Sequence, residues 1–292
     1  MPPFRWLILH HNSTFMHTIL VPTDFSLVAK NAAAYAVSLA KQLGSKKIIL
    51  YNAYQQPIIS DANMVPVELV DISLVKDTST IGLNNFKKEV ESLGTDGIDI
   101  ETIGEYDILT DGINAVCREH KVDIIVMGVT GGGKFDETLL GSNAVNVAKQ
   151  ATVPVIVAPP GTKFTPINKV VFACDFKDVV ETTPVGAIKH LLNETKAKLL
   201  VLNIDHNHKH FSQELPFEGL MLDNLLDGYD PEYHFVDSPN FVDAVNSFAE
   251  DNEADLVITI PKKHNFFEKI FSESHTKQLA FHSHVPLMVI HE

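Results

Sequence analysis

The chain has little of what several function classes require. Basic residues are scarce: 23 Lys and Arg stand against 37 Asp and Glu, a formal charge of −14. No Lys/Arg stripe runs along it. That argues against a nucleic-acid partner, because phosphate backbones are bound by a basic footprint. No apolar run approaches the ~18 residues of a membrane span, so no membrane anchoring is expected. There are only two cysteines, Cys117 and Cys174. They fall in different halves and read as reduced thiols of a cytoplasmic protein. A Walker loop is also missing, because Gly133-Lys134 is followed by Phe135 and not by the Ser/Thr that would hold Mg²⁺. The first strand ends in Pro22-Thr23-Asp24-Phe25-Ser26, so there is no G-x-G-x-x-G dinucleotide loop there either.

What is present is one unit used twice. With 292 residues, two domains are the natural expectation. Thr18-Ile-Leu-Val-Pro-Thr-Asp24-Phe25 resembles Lys169-Val-Val-Phe-Ala-Cys-Asp175-Phe176. Asp123-Ile-Ile-Val-Met127 resembles Asp255-Leu-Val-Ile-Thr259, and Val153-Pro-Val-Ile-Val157 resembles Val285-Pro-Leu-Met-Val289. The last two pairs share one offset, so the stretch between them aligns without a gap. Pro159-Pro160-Gly161-Thr162 punctuates the junction. Boundaries of 16–160 and 166–292 follow. Residues 1–15, with the short apolar patch Trp6-Leu-Ile-Leu9, are expected to be an appendage or a start-site misassignment outside the fold.

Strand and helix patterns alternate in the first half. Strands are expected at Thr18–Val21, Lys47–Asn52, Ile98–Ile103, Asp123–Gly128 and Val153–Ala158. Helices are expected at Ser26–Leu43, Glu68–Leu93, Ile108–His120 and Gly141–Gln150, with Gly44 and Gly94 as stops. The second half repeats this order, with shorter elements around Glu214–Val236. Alternation of this kind implies parallel βαβ units. The expected fold is therefore α/β: two tandem doubly wound, Rossmann-like domains, each with a five-stranded, mostly parallel sheet of order 3-2-1-4-5. Ligands of such sheets bind beyond the strand C-termini at the switch point, between the first and fourth strands. Val153–Ala158 and Val285–His291 read as short edge strands, and exposed edges invite pairing.

The chemistry-bearing motif lies at that switch point. The fourth strand runs into Met127-Gly-Val-Thr-Gly-Gly-Gly-Lys134, and a helix begins at Gly141-Ser142-Asn143. Glycine permits close backbone approach, and a helix start offers unpaired N–H groups to phosphate. A bland alternative is a flexible turn at Gly131–Gly133.

The spacing Gly128-x-x-Gly131, nine residues, Gly141-Ser142 resembles the signature of universal stress proteins, an adenine-nucleotide alpha hydrolase-like fold. The opening Ile19–Ser26 and the closing Val153–Pro159 are similar to that family too. The resemblance runs from about Met16 to Glu292. It implies binding of ATP (or AMP or ADP), with or without Mg²⁺. It places Asp24 and Ala53 against adenosine, with Pro22 and Thr23 beside them. Met127 and Val129 would flank the nucleoside, and Gly128, Gly131, Gly141, Ser142 and Asn143 would hold ribose and phosphates. A separate reading makes Asp24 a dipole partner of the helix starting near Ser26.

In the second half Gly128, Gly131 and Gly141 become Ile260, Lys263 and Glu273, so no equivalent site is expected there. His206, His208 and His210 form a weak metal-site candidate, with a solvated loop as the simpler reading. His264, His275, His282 and His284 lie near the altered motif. The resemblance also implies that a final strand pairs across a two-fold, which a tandem chain could satisfy internally as a pseudo-dimer; a homodimer of whole chains is a further option. The expected role is a cytoplasmic stress-response module that binds nucleotide in its first half and acts on an unidentified protein partner. Enzyme status is open. A slow ATPase or phosphotransferase lacks a placed base or arginine in the loop, and a nucleotide-free scaffold with a histidine-rich, metal-responsive second domain is the third reading.

Overall fold

The computed structural model describes residues 16–55, 71–129, 142–205, 215–261 and 285–291. The first half runs β1 (Thr18–Pro22), α1 (Leu27–Leu43), β2 (Lys47–Tyr54), α2 (Ile72–Glu91), β3 (Asp99–Tyr106), α3 (Leu109–His120), β4 (Ile124–Gly128), α4 (Ser142–Gln150) and β5 (Val155–Ala158). The second half runs β6 (Lys169–Ala173), α5 (Val179–Thr182), α6 (Val185–Thr195), β7 (Lys198–Asp205), α7 (Leu215–Leu225), β8 (Glu232–Asp237), α8 (Phe241–Asp251), β9 (Leu256–Thr259) and β10 (Leu287–Val289).

The central strands are apolar on both faces and helices cover both, as a parallel sheet requires. One cluster packs under α1, α2 and α6 and includes Ile19, Leu39, Phe86 and Phe172. The other packs under α3, α4 and α8 and includes Ile49, Ile113, Val147 and Val245. α1 shows how the sequence sets a boundary. Ser26 caps its start by accepting from the Ala29 N–H, and Gly44 ends it in the left-handed region at φ 68°.

The two expected sheets form a single ten-stranded one, ordered β3-β2-β1-β4-β5-β10-β9-β6-β7-β8. Each half keeps the 3-2-1-4-5 order. The join is antiparallel: Leu287, Met288 and Val289 pair with Val157, Ile156 and Val155. The fifth strands, expected as edges of their own halves that could pair within the chain, make that internal pairing. Each pairs on both sides, β5 with β4 and β10, and β10 with β9 and β5. The outer edges are β3 and β8. The halves are tied at their junction as well. Gln42 of α1 donates to the Ile167 carbonyl and accepts from its N–H, both at 2.9 Å.

The repeat extends to polar contacts. Asp123 accepts from the N–H groups of His17 and Thr18, and Asp255 accepts from those of Asn168 and Lys169. Buried Asn52 donates to the Thr23 carbonyl at 2.8 Å, and buried Asn203 donates to the Cys174 carbonyl at 2.9 Å. Phe25 and Phe176 both occupy the left-handed region, at φ 66° and 50°. One departure is clear. The counterpart of α1 is broken into α5 and α6 at Thr183-Pro184, where proline cannot continue the ladder.

Candidate functional site

Beyond the C-terminal ends of β1, β2 and β4 lies a cavity of about 370 Å³. Its floor is made by Pro22-Thr23-Asp24, Asn52-Ala53 and Met127-Gly128. Asp107, Ile108, Leu109 and Thr110 at the start of α3 form one wall, and Asn143, Ala144 and Asn146 of α4 form another. The first turn of α1, with Ser26, Val28 and Ala29, closes a third side.

The β1–α1 loop is held by its own side chains. The Thr23 hydroxyl accepts from the Phe25 N–H at 2.9 Å, and Asp24 Oδ1 accepts from the Ser26 N–H at 3.0 Å. Asp24 therefore does act at the helix start, and its side chain still lines the cavity. Asn52 fixes the loop from below, while its own Oδ1 accepts from the Ser79 hydroxyl at 2.6 Å.

Gly128 has a packing reason for lacking a side chain. A Cβ there would lie 2.5 Å from Val28 Cγ1 and 2.8 Å from the Val28 carbonyl oxygen. The glycine thus lets α1 approach the end of β4 and leaves the space above it open. Gly112 plays a similar part in the wall: a Cβ would fall 1.8 Å from Tyr51 Oη. Tyr51 reaches under α3 and its hydroxyl contacts Glu105 Oε2 at 3.4 Å. Burial, then the carboxylates of Glu105 and Asp107, push its phenol well above the usual tyrosine range.

Among the described lining residues the charged side chains are the carboxylates Asp24 and Asp107. Such a lining favours hydroxyl and amino groups as ligand chemistry over bare anions. Phosphate would be served by the start of α4, because the first N–H groups of a helix have no partner within the helix itself.

Of the residues expected from sequence, Pro22, Thr23, Asp24, Ala53, Met127, Gly128 and Asn143 line this one cavity. Val129 is buried at 6% exposure in the core beneath α3 and α4, and is not among the lining residues. Ser142 is the first residue of α4. Gly131 and Gly141 lie outside the described residues, as do Lys263, Glu273, His206, His208 and His210 and the later histidines His264, His275, His282 and His284. Among the described residues no group of three or more His, Cys, Asp or Glu is placed to hold a metal ion. No described helix is long and apolar enough to cross a membrane. Sequence reasoning missed the α3 wall, Asn146 and Asn52. Asn52 had a signal, since Asn52 and Asn203 recur at the same place in both halves, each ending an apolar run.

At the same place in the second half, Ala53 is replaced by Ile204, Met127 by Thr259 and Gly128 by Ile260. Thr259 and Ile260 are buried, at 1% and 7% exposure.

The family model of the universal stress protein family matches residues 16–159. A universal stress protein of Methanocaldococcus jannaschii is 30% identical over 150 residues, covering 51% of this chain and 86% of that protein. A second from the same organism is 30% identical over 159 residues, covering 50% of this chain and 96% of that protein. In fold, the chain is similar to the crystal structure of a universal stress protein from Archaeoglobus fulgidus. The TM-score is 0.68 at 18% identity, over 96% of this chain and 97% of that one. With two relatives 30% identical over 86% and 96% of their lengths and the family model matching residues 16–159, the chain belongs to the universal stress protein family.

Proposed function

We propose that the first half binds an adenine nucleotide in the cavity between β1, β2 and β4. In this reading the module signals nucleotide occupancy to a protein partner during cytoplasmic stress responses. The observation that carries it is the convergence of seven expected residues, from three strand ends and α4, on one cavity of about 370 Å³. That volume is within the about 300–1,000 Å³ of small-molecule pockets.

The chain's own groups fit such a ligand. Ala53 and Met127 offer apolar contact to a base. Asp24 and Asp107 offer acceptors for amino and hydroxyl hydrogens. Asn143 and the start of α4 offer donors to phosphate. Mg²⁺, where present, would be held by the phosphates in the main, with Asp24 and Asp107 the carboxylates available in the described lining. The reading favours holding over hydrolysis. The stretch from Val129 to Leu140 contains no arginine to offset the charge that builds up in phosphoryl transfer.

Isothermal titration of ATP, ADP and AMP into the whole chain tests this. One site per chain is expected. Two equivalent sites, or no heat with any of the three, would refute it. Single-turnover phosphate release separates a holding module from a slow ATPase.

A further inference from the structure

α4 forms one wall of the cavity through Asn143, Ala144 and Asn146. It is short, nine residues from Ser142 to Gln150. Its inward face is small. Ala144, Val147 and Ala148 are buried, while Asn143, Asn146, Lys149 and Gln150 are exposed. Two alanines and a valine offer little apolar area to fix a helix by packing. Contacts at its end therefore weigh more in setting where it lies.

A helix leaves its last four carbonyls without partners in its own ladder. At α4, side chains from other elements meet two of them. Asn114 of α3 donates to the Gln150 carbonyl and accepts from the Thr152 N–H, both at 3.0 Å. In a longer helix that N–H would close on Ala148. Here the Ala148 carbonyl meets Nε2 of His291 at 2.8 Å. A carbonyl only accepts, so Nε2 carries the hydrogen and donates it. His291 follows β10, and its backbone is held in the second half. The preceding Ile290 is buried, and its N–H donates to the Thr259 carbonyl at 3.1 Å.

The repeat does not demand this contact. Matching Val157 with Val289 places Pro159 opposite His291, and the proline ring has no donor. Another cavity wall is fastened too. α1, whose first turn closes the third side, donates from Asn31 to the Pro159 carbonyl at 3.3 Å, and its Gln42 holds Ile167.

We infer that His291 is a positioning residue of the nucleotide site. From the second half it holds α4 at its last turn, and so sets where Asn143, Asn146 and the helix start stand. The inference rests on the nucleotide reading above. Asn146 lies about 3 Å along the axis from Ala148, and Ser142 about 9 Å. A shift at one end of so short a rod reaches the other. Such coupling is reciprocal: if the hold on Ala148 favours nucleotide, nucleotide favours the hold. The second half thereby takes part in the site of the first.

Calorimetric titration of ATP into the whole protein compares the wild type with three variants. His291→Leu keeps bulk and removes the donor. It should weaken binding at least about fivefold, the lower end of usual coupling between sites. His291→Gln retains an N–H donor and should stay within about threefold of the wild type. Asn203→Ala removes a buried hydrogen bond of the second half that does not involve α4. It should lower the melting temperature and leave ATP affinity unchanged. The reciprocal effect is read by nuclear magnetic resonance on the wild type. ATP should shift the His291 imidazole resonances, identified by their loss in His291→Gln. If the wild type binds none of ATP, ADP and AMP, the nucleotide reading falls and the inference with it. Where the wild type binds, the inference alone is overturned by full affinity in His291→Leu, or by an equal loss in His291→Gln or Asn203→Ala. His291 resonances indifferent to ATP overturn it as well, whether or not the leucine variant folds.

Discussion

The two halves share a sheet order, a loop geometry and a set of buried hydrogen bonds, yet they differ in the residues at their strand ends. The difference lies in side-chain size at a few matched positions. At the fourth strand Gly128 makes room for the first turn of α1, and its counterpart is the buried Ile260. The continuous α1 faces a helix broken into α5 and α6. On the second strand Tyr51 fits beneath Gly112, whereas the matched pair is Leu202 and Ala244: a large and a small residue replaced by two of middling size. Such exchanges keep total volume, and therefore the fold, while redistributing space. A duplicated unit can thus change the residues at its strand ends without losing its architecture.

The comparison can be broken at its centre. Gly128→Ile gives the first half the second half's residue. With Val28 atoms 2.5 and 2.8 Å from the added Cβ, the first turn of α1, which closes the cavity's third side, must shift. The expected outcome is loss of ATP binding by more than about 100-fold, with about 1–3 kcal/mol of destabilisation from overpacking. Calorimetric titration and urea unfolding measure the two effects. Retained affinity would show that the glycine is not what keeps the site open.

A second experiment sharpens it. Gly112→Ala should cost about 1–3 kcal/mol, because the methyl meets the Tyr51 hydroxyl. Adding Tyr51→Leu, which copies the Leu202/Ala244 arrangement, should recover at least about half of that loss, a coupling that a double-mutant cycle in urea reads directly. Additive losses would mean that the two halves do not use interchangeable packing.

The smallest expected effect concerns helix starts. Ser26 caps α1 through the Ala29 N–H, whereas α5 starts at Asp178 with no side-chain cap. Ser26→Ala should lower stability by about 1 kcal/mol, and Asp178→Ala, at a left-handed φ of 48°, should act through the backbone rather than through a lost cap. Thermal melting with hydrogen exchange of the first turns distinguishes the two.

Much of this was legible in the residues. Apolar runs of four to six bounded by turn residues located the strands, and the Asp-Phe repeat gave the tandem order. The cavity floor followed from the rule that ligands sit beyond strand C-termini at a switch point. The α3 wall was not legible, because Asp107 to Thr110 carry no motif and reach the cavity only through the way α3 packs on β1 and β2. The left-handed backbone at Phe25 and Phe176 was hidden as well. Phenylalanine rarely adopts that region, and it is held there by ring packing, on Phe86 at 6.1 Å and on Phe235 at 5.8 Å. Val129 shows the converse: its spacing in the motif says nothing of which side of the sheet its side chain enters.

The antiparallel seam between β5 and β10 has one more consequence. Joined across such a seam, two separate half-size chains would dissociate and re-pair, and a population of mixed partners would result. Here the seam is intramolecular, so the local concentration of one strand at the other is about millimolar or above at any dilution. Partners cannot be exchanged, and composition is inherited with the chain. Each molecule carries one copy of each half in fixed ratio, whatever its abundance in the cell.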